Sequence, residues 1–509
     1  MMLFMALALS NLCSGDLLAS TSDSIKYKDF EEQILTNGDT IYYWQSISRG
    51  NVPFNVLDDA GIKLSRYKNM PVNFNELVQD MNQIIVYYEN NGYPFAEIQL
   101  TDVVFDDNHI STSFLLNENP YYQFDSIIMK GDLKLNPAYL RNYLGIKKHE
   151  PYNEERVSNI SDMMRKNEFI EEIRPAELGF KDQSVDVYTY LRKEPANLIN
   201  GILGIAPGNE IDNLQLTGNV KLHLINAFRQ GEVIDIDWQK LESSSQRLYT
   251  GFGYPYLFGT PIGMGIDFDL YKQDSSFLTI HTKVSGKYHF KGSNHVYLYY
   301  KNRSSRIINQ GNALNIRGYA TNMYGFGLDW NSLDNLYNPS RGSIVNGSFA
   351  TGHKVMSQTD KRSSQIESNM RLTTFIPFLN HFTIKLEGDY GGIYGKHLYT
   401  NELMRLGGLT TIRGFDDNSI FASQYGIFTL EVRYLFQSMS NIHLFWDGSY
   451  YEREGETMRT SDTPYSIGTG FMLSTNSGIF SFTYAVGKQF NNPLKPLEGK
   501  IHVGYINRF

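Results

Sequence analysis

Two periodicities divide the chain. Between about 40 and 195, stretches with helical spacing of apolar residues are interleaved with alternating ones; from 198 onward period two governs. In "NFNELVQDMNQIIVYYENNG", Phe74, Leu77, Val78, Met81, Ile84, Ile85 and Tyr88 share one helical face, and Gly92 ends the run. "NPAYLRNYLG" predicts a short helix with Asn136 as N-cap, Pro137 at its first position and Gly145 as its stop. A third helix is expected from Asn153, with Glu154 and Glu155 in its first turn and Val157, Ile160, Met163 and Met164 on one face. Strand-like "IYYWQSI" precedes the first helix, and "YPFAEIQLTDVVF" with "HISTSFLLNE" follows it as a hairpin. "FDSIIMKG" precedes the second and third helices, and "EEIRPAELGF" with "VDVYTYLRK" follows them. The order β-α-α-β-β thus occurs twice, which predicts small α+β modules at 40–119 and 120–195.

The second region, 198–509, reads as strands throughout. "PIGMGIDFDLY" sets Ile262, Met264, Ile266, Phe268 and Leu270 against Gly263, Gly265, Asp267 and Asp269. "LTIHTKVSGKYHF" sets Leu278, Ile280, Val284, Tyr288 and Phe290 against His281, Lys283, Ser285, Lys287 and His289. A soluble sandwich also alternates, so length has to decide. About sixteen candidate strands of roughly 9–13 residues have the span of tilted membrane strands, with the charged parity facing a wet lumen. The fold class expected is therefore a membrane β-barrel of about sixteen antiparallel strands preceded by α+β modules.

Composition adds to this picture. Tyr 35, Phe 31 and Trp 4 make 14% aromatics in a chain with 43 Gly, as strands with one greasy and one wet face require. A net charge of -8 argues against a nucleic-acid partner. No run of about 18 apolar residues follows the start, so no helical span is expected. The apolar opening "MMLFMALALS" reads as a signal sequence over 1–19, lacking its usual basic residues, with a linker at 20–39. The single cysteine, Cys13, lies in that opening, where "SNLC" fits a lipid-attachment box poorly. His281, His289, His295 and His443 lack ligand spacing, so no metal and no cofactor is expected. No phosphate loop, nucleophile elbow or zincin pair occurs, so the protein does not read as an enzyme.

Parity then gives meaning to "RLGGLTTIRGFDDNSI". In "YGIFTLEVRYLF" the outward set is Phe428, Leu430, Val432, Tyr434 and Phe436, which turns Glu431 and Arg433 inward. "NIHLFWDGSYY" turns Asp447 inward in the same way. Two carboxylates on adjacent strands can be bridged by an arginine on a loop folded back inside, since its fork of donors matches them. Arg413 is such an arginine, Gly414 allows the tight corner, and Phe415 can pack on the inner wall. The plainer readings are a solvated loop charge for Arg413 and wet wall residues for the two acids. Asp416 and Asp417 read as ordinary loop acids. At the chain end, "IHVGYINRF" places Ile501, Val503, Tyr505 and Phe509 on one parity.

These residues resemble the BamA/TamA superfamily of outer-membrane assembly and translocation proteins. The resemblance rests on Arg413-Gly414-Phe415 with "RLGG" ahead of it, on Glu431 in "LEVRYLF" and Asp447 in "LFWDGS", and on the terminal Phe509, though Asn507 departs from the usual pattern. "NAFRQGE", "YPYL", "NPSRG" and "NGYPFAEI" are similar to further landmarks of that family, and five candidate strands follow the loop. The resemblance implies that the modules are POTRA domains in the periplasm of a Gram-negative bacterium. It also implies that the motif enters the lumen from the sixth extracellular loop and contacts the acidic wall. The function expected is an assembly factor that recruits unfolded outer-membrane proteins through its modules and inserts them at a barrel seam, where Gly201, Gly204 and Gly504 reduce side-chain packing. Periplasmic or lipoprotein accessory factors and outer-membrane lipid are the other partners implied. A two-partner-type secretion channel is the alternative, and two modules suit it as well.

Overall fold

A computed structural model describes residues 41–207, 214–240, 245–309, 315–437, 439–454, 459–475, 478–490 and 492–506. The expected signal and linker and the terminal Phe509 lie outside the described residues. Two compact units are present. One comprises the chain up to Phe124 with His149–Glu155 and Phe180–Val185; the other comprises Asp125–Lys148, Arg156–Gly179 and the chain from Asp186.

The first unit contains β1 (Tyr43–Ser48), helices Phe54–Asp59 and Phe74–Glu89, β2 (Glu97–Asp106) and β3 (His109–Asn117). Its sheet order is β1-β3-β2, with β1 parallel to β3 and β2 antiparallel to it. The helical face read from the sequence is the buried one: Leu77, Met81, Ile84, Ile85 and Tyr88 close on Trp44, Leu100, Ile110 and Phe114. Helix Phe54–Asp59 had no clear signal in the sequence, and only Val56 and Leu57 anchor it in the core. Buried Asp80 accepts from the Tyr67 hydroxyl at 2.8 Å and from Arg66 Nη2 at 2.6 Å, so its charge is paired where the core would otherwise penalise it. Burial pushes the Tyr67 phenol up to about 12.

The same order recurs in β4 (Gln123–Gly131), the helix Pro137–Leu144, two short helices, β5 (Ile170–Lys181) and β6 (Ser184–Lys193), with sheet order β4-β6-β5. Asn136 caps as expected, its Oδ1 accepting from Ala138 N at 2.9 Å, and Gly145 takes φ 67°. The helix expected from Asn153 is instead broken at Asn159 into Glu154–Ser158 and Ile160–Arg165. Only the second piece buries apolar side chains, so packing fixes that piece and leaves the first to polar ties such as Arg156 Nη1 to Gly145 O at 2.9 Å.

The barrel follows. Its strands are β7 (Leu198–Pro207), β8 (Leu214–Ile225), β9 (Val233–Lys240), β10 (Gln246–Tyr254), β11 (Ile262–Gln273), β12 (Phe277–Lys291), β13 (Asn294–Ile307), β14 (Tyr319–Asn331), β15 (Gly342–Met356), β16 (Arg362–Leu379) and β17 (Phe382–Gly395). After a long loop come β20 (Gln424–Gln437), β21 (Ser440–Glu454), β22 (Arg459–Asp462), β23 (Tyr465–Thr475), β24 (Gly478–Lys488) and β25 (Lys500–Ile506). The loop itself carries a small hairpin, β18 (Met404–Leu406) with β19 (Ile420–Ala422). β22 and β23 both pair with β21 and act as one interrupted strand, so the antiparallel ring has sixteen strands, completed where β25 neighbours β7. No described helix is long and apolar enough to cross a membrane. Parity holds: Phe428, Leu430, Val432 and Tyr434 are exposed outside, while Thr429 and Glu431 are buried inside.

Within the second unit, turns of the barrel seat the helix Pro137–Leu144. Asn136 N donates to Arg229 O at 2.9 Å, Asn142 Nδ2 to Gly259 O at 2.9 Å, and Gly292 N to Tyr143 O at 3.2 Å. The "NAFRQGE" turn is shaped from inside by Glu232, whose carboxylate accepts from the amides of Phe228 and Gln230. At Gly231, φ 72°, a Cβ would stand 2.1 Å from the Tyr139 ring, so this turn approaches the helix only as glycine.

Gly50 in the first unit is held as tightly. Its φ is 55°, and a Cβ would lie 1.8 Å from Phe114 O. Gly50→Ala is expected to cost at least about 1–2 kcal/mol for the left-handed backbone alone, with the clash added. Hydrogen exchange at β3 amides checks this; unchanged protection would contradict it.

Candidate functional site in the barrel lumen

The loop between β17 and β20 folds into the lumen, and its turning point is Arg413. Arg413 is 9% exposed, Glu431 2% and Asp447 0%. From the guanidinium, Nε donates to Asp447 Oδ2 at 2.8 Å, Nη2 to Asp447 Oδ1 at 2.6 Å and Nη1 to Glu431 Oε2 at 2.8 Å. The backbone N of Arg413 donates to Asp447 Oδ2 at 3.3 Å. One fork thus serves two strands, bidentate on β21 and single on β20.

The wall completes the charge balance. Thr429 Oγ1 donates to Asp447 Oδ1 at 2.9 Å, and Arg433 Nε to Glu431 Oε1 at 2.6 Å. Two arginines thereby face two carboxylates, and the cluster is neutral. The Phe445 ring lies under the guanidinium, 3.3 Å from Cζ to centroid, so the cation has an aromatic floor as well as acidic walls.

The neighbours of Arg413 explain the rest of the motif. Gly414 has φ 84°, and a Cβ there would stand 2.7 Å from Gly487 N of β24. Gly487 is its counterpart: a Cβ on it would meet Gly414 O at 2.7 Å and the Phe415 ring at 2.7 Å. Backbone thus lies against backbone, and Phe415 fills the space left by the missing side chain. Phe415 also packs on the buried cluster of Leu406, Ile412, Ile420, Ala422, Ile427 and Tyr451. Asp416, read as an ordinary loop acid, stands 2.6 Å from Lys500 Nζ of β25.

The structure brings Arg413, Gly414, Phe415, Glu431 and Asp447 into one site and places the seam residues in another. Gly201 and Gly204 of β7 pair with Val220 and Thr217, while Gly504 and Tyr505 of β25 pair with Ser481 and Phe480. Asn200 Nδ2 of β7 donates to Tyr505 O at 3.0 Å across the seam. Sequence reasoning missed Gly487, Phe445 and Thr429 as partners of the motif. Parity would have turned each inward; nothing local pairs them with the tip of a loop that lies on another part of the chain.

Removing one member of a buried charge cluster costs about 3–5 kcal/mol because the other is left unpaired. Arg413→Glu is expected to unseat the tip of the loop and raise hydrogen exchange at residues 411–416, and a second change, Glu431→Arg or Asp447→Arg, to restore part of the protection. Wild-type protection in Arg413→Glu would refute the bridge. Gly414→Ala is expected to unseat the loop with all charges intact, which separates fit from electrostatics.

Comparison with known proteins places this arrangement. The Omp85 superfamily domain matches residues 226–509, over half of the chain. CdiB from Acinetobacter baumannii is similar in structure with a TM-score of 0.56 at 12% identity, covering 100% of this chain and 97% of its own. CdiB from Escherichia coli is similar with a TM-score of 0.56 at 13% identity, covering 93% and 91%. BamA from Haemophilus ducreyi lacking POTRA domains 1-3 gives a TM-score of 0.47 at 15% identity, covering 91% and 100%. No curated protein sequence matches. At such identities the two CdiB structures speak to fold alone, and that fold is the one described. The chain belongs to the Omp85 superfamily of Gram-negative outer-membrane β-barrels concerned with protein insertion or translocation.

Proposed function

We infer that this protein assists the insertion of other β-barrel polypeptides into the outer membrane, with its modules in the periplasm. The observation that carries the reading is the seated loop. A neutral, buried cluster fastens it across the lumen, so a client is met at strand edges and not in the pore.

Two kinds of edge support this. In the first unit the outer side of β1 is occupied: Trp44 N donates to Met70 O at 2.9 Å and Asn69 N to Trp44 O at 2.7 Å. β2 lies at the other edge of that sheet, bulged at Asp102 with φ 52°, and carries exposed Val104 and Phe105. An extended client can add to such an edge through main-chain hydrogen bonds without matching a sequence. β5, an edge of the other small sheet, is blunted by Pro175 and by Glu171, Glu172, Arg174 and Glu177. Recruitment is therefore assigned to β2.

The seam is the second edge. Where β25 neighbours β7, glycines at 201, 204 and 504 thin the side-chain packing of the two strands, which eases their parting. A client strand templated there keeps every backbone group paired as it enters hydrocarbon.

Secretion through the lumen remains the rival reading, and it requires the loop to leave. Insertion of an unrelated unfolded barrel protein into liposomes, scored as heat-modifiable folded product, separates the two. The full chain is expected to accelerate folding several-fold, and removal of residues 1–119 to abolish the gain. No acceleration, together with ion conductance in the same liposomes, would favour secretion.

A further inference from the structure

The rising limb of the lumen loop, residues 396–403, is fastened at a place unrelated to Arg413. Lys354 projects inward from β15 with its side chain 1% exposed, and Glu402 faces it at 0%. Lys354 Nζ stands 3.0 and 3.1 Å from the two Glu402 oxygens, and it donates to the carbonyls of Lys396 at 3.1 Å and His397 at 2.9 Å. Glu402 Oε1 also accepts from Tyr399 N at 3.2 Å, so the carboxylate holds the limb's own turn closed.

Asn401 adds a polar stitch beside it. Its Nδ2 donates to Ser305 Oγ of β13 and to Arg317 O, both at 2.8 Å, and its carbonyl accepts from the Tyr319 hydroxyl of β14 at 3.3 Å. Thr400 N donates to Asn315 O at 2.9 Å. Beneath the limb, Leu398, Leu403 and Ile393 form a small buried apolar cluster. A little further along, Arg405 reaches β11, where Nη1 donates to Gln273 Oε1 at 3.1 Å and Cζ lies 4.3 Å from the Tyr271 ring centroid. β11 stands eight strands from β21 around the sixteen-strand ring, so the loop crosses from one wall to the opposite one.

We propose that Lys354 and Glu402 are positioning residues that form a second, independent clasp, and that the loop clears the lumen only when this clasp and the Arg413 cluster have both let go. The two clasps share no residue and no strand: one uses β13, β14 and β15, the other β20, β21 and β24. Release of either alone leaves the loop tethered to the far wall and still lying across the pore. A membrane kept sealed this way does not leak when one ion pair fluctuates open. It opens only to an agent that strains both walls together, and a client prying the barrel apart at its seam is such an agent. The proposal rests on the loop geometry alone, and it holds for insertion and for secretion alike.

Conductance of the full chain in planar bilayers tests it as a double-mutant cycle. Lys354→Met with Glu402→Gln removes the second clasp without leaving a buried charge; Arg413→Ala releases the first. Each set alone is expected to stay within about twofold of the wild-type conductance, and the combination to raise it about tenfold or more, far beyond additivity. Arg413→Ala opening the pore as fully as the combination would overturn the proposal. So would Lys354→Met with Glu402→Gln opening it alone, or a combination that stays closed. Heat-modifiable migration checks that each barrel is folded, and Asn401→Ala weakens the same clasp if the charge pair proves needed for folding.

Discussion

A polypeptide in hydrocarbon must satisfy its own backbone, and this chain does so by closing a sheet. Every later feature of the barrel follows from that closure. Because the ladder consumes the main chain, sequence is left to decide only what faces lipid and what faces the lumen. Outward positions therefore carry Phe428, Leu430, Val432 and Trp446, and inward ones collect charge. Inward charge cannot stay unpaired in so confined a space. It is resolved wall against wall, as in Lys301 and Arg303 on Glu367, or wall against loop, as in Asp447 and Glu431 on Arg413.

That second solution converts an electrostatic need into a mechanical part. A buried carboxylate pair on β20 and β21 would be costly by itself, so the loop arginine is needed by the wall as much as the wall is needed by the loop. Glycine supplies the fit. Gly414 and Gly487 let two backbones touch, and Phe415 takes up the space thus freed. The charge sets where the loop goes, and the glycine pair sets how closely it can lie. Either requirement alone would leave the loop less well defined.

Much of this was legible because it is periodic or local. Alternation exposed the barrel, helical spacing exposed Phe74–Glu89, and capping chemistry marked Asn136 and Gly145. Parity alone turned Glu431 and Asp447 inward, and the motif around Arg413 supplied a loop cation to meet them. What escaped was set by tertiary contact. Gly487 is one glycine among 43 until Phe415 is seen on it. Lys354 in "TGHKVM" and Glu402 in "TNELMR" are ordinary polar residues until the loop turns back on β15. The break at Asn159 was hidden too, because helical spacing continues through it and only burial distinguishes the two pieces.

The modules obey the same backbone rule with the opposite outcome. In water an unpaired edge is tolerated, so a small sheet can keep one open where a membrane barrel cannot. The first unit covers its β1 edge with its own residues 69–72, while at the other edge β2 is bulged at Asp102. In the insertion proposed above, the membrane half approaches that condition where β25 neighbours β7. An edge that is open in water and one that opens in lipid have the same chemistry, bare amides and carbonyls at strand spacing. In the insertion proposed above, a client held by its main chain at the first would exchange onto the second without any change in what is recognised.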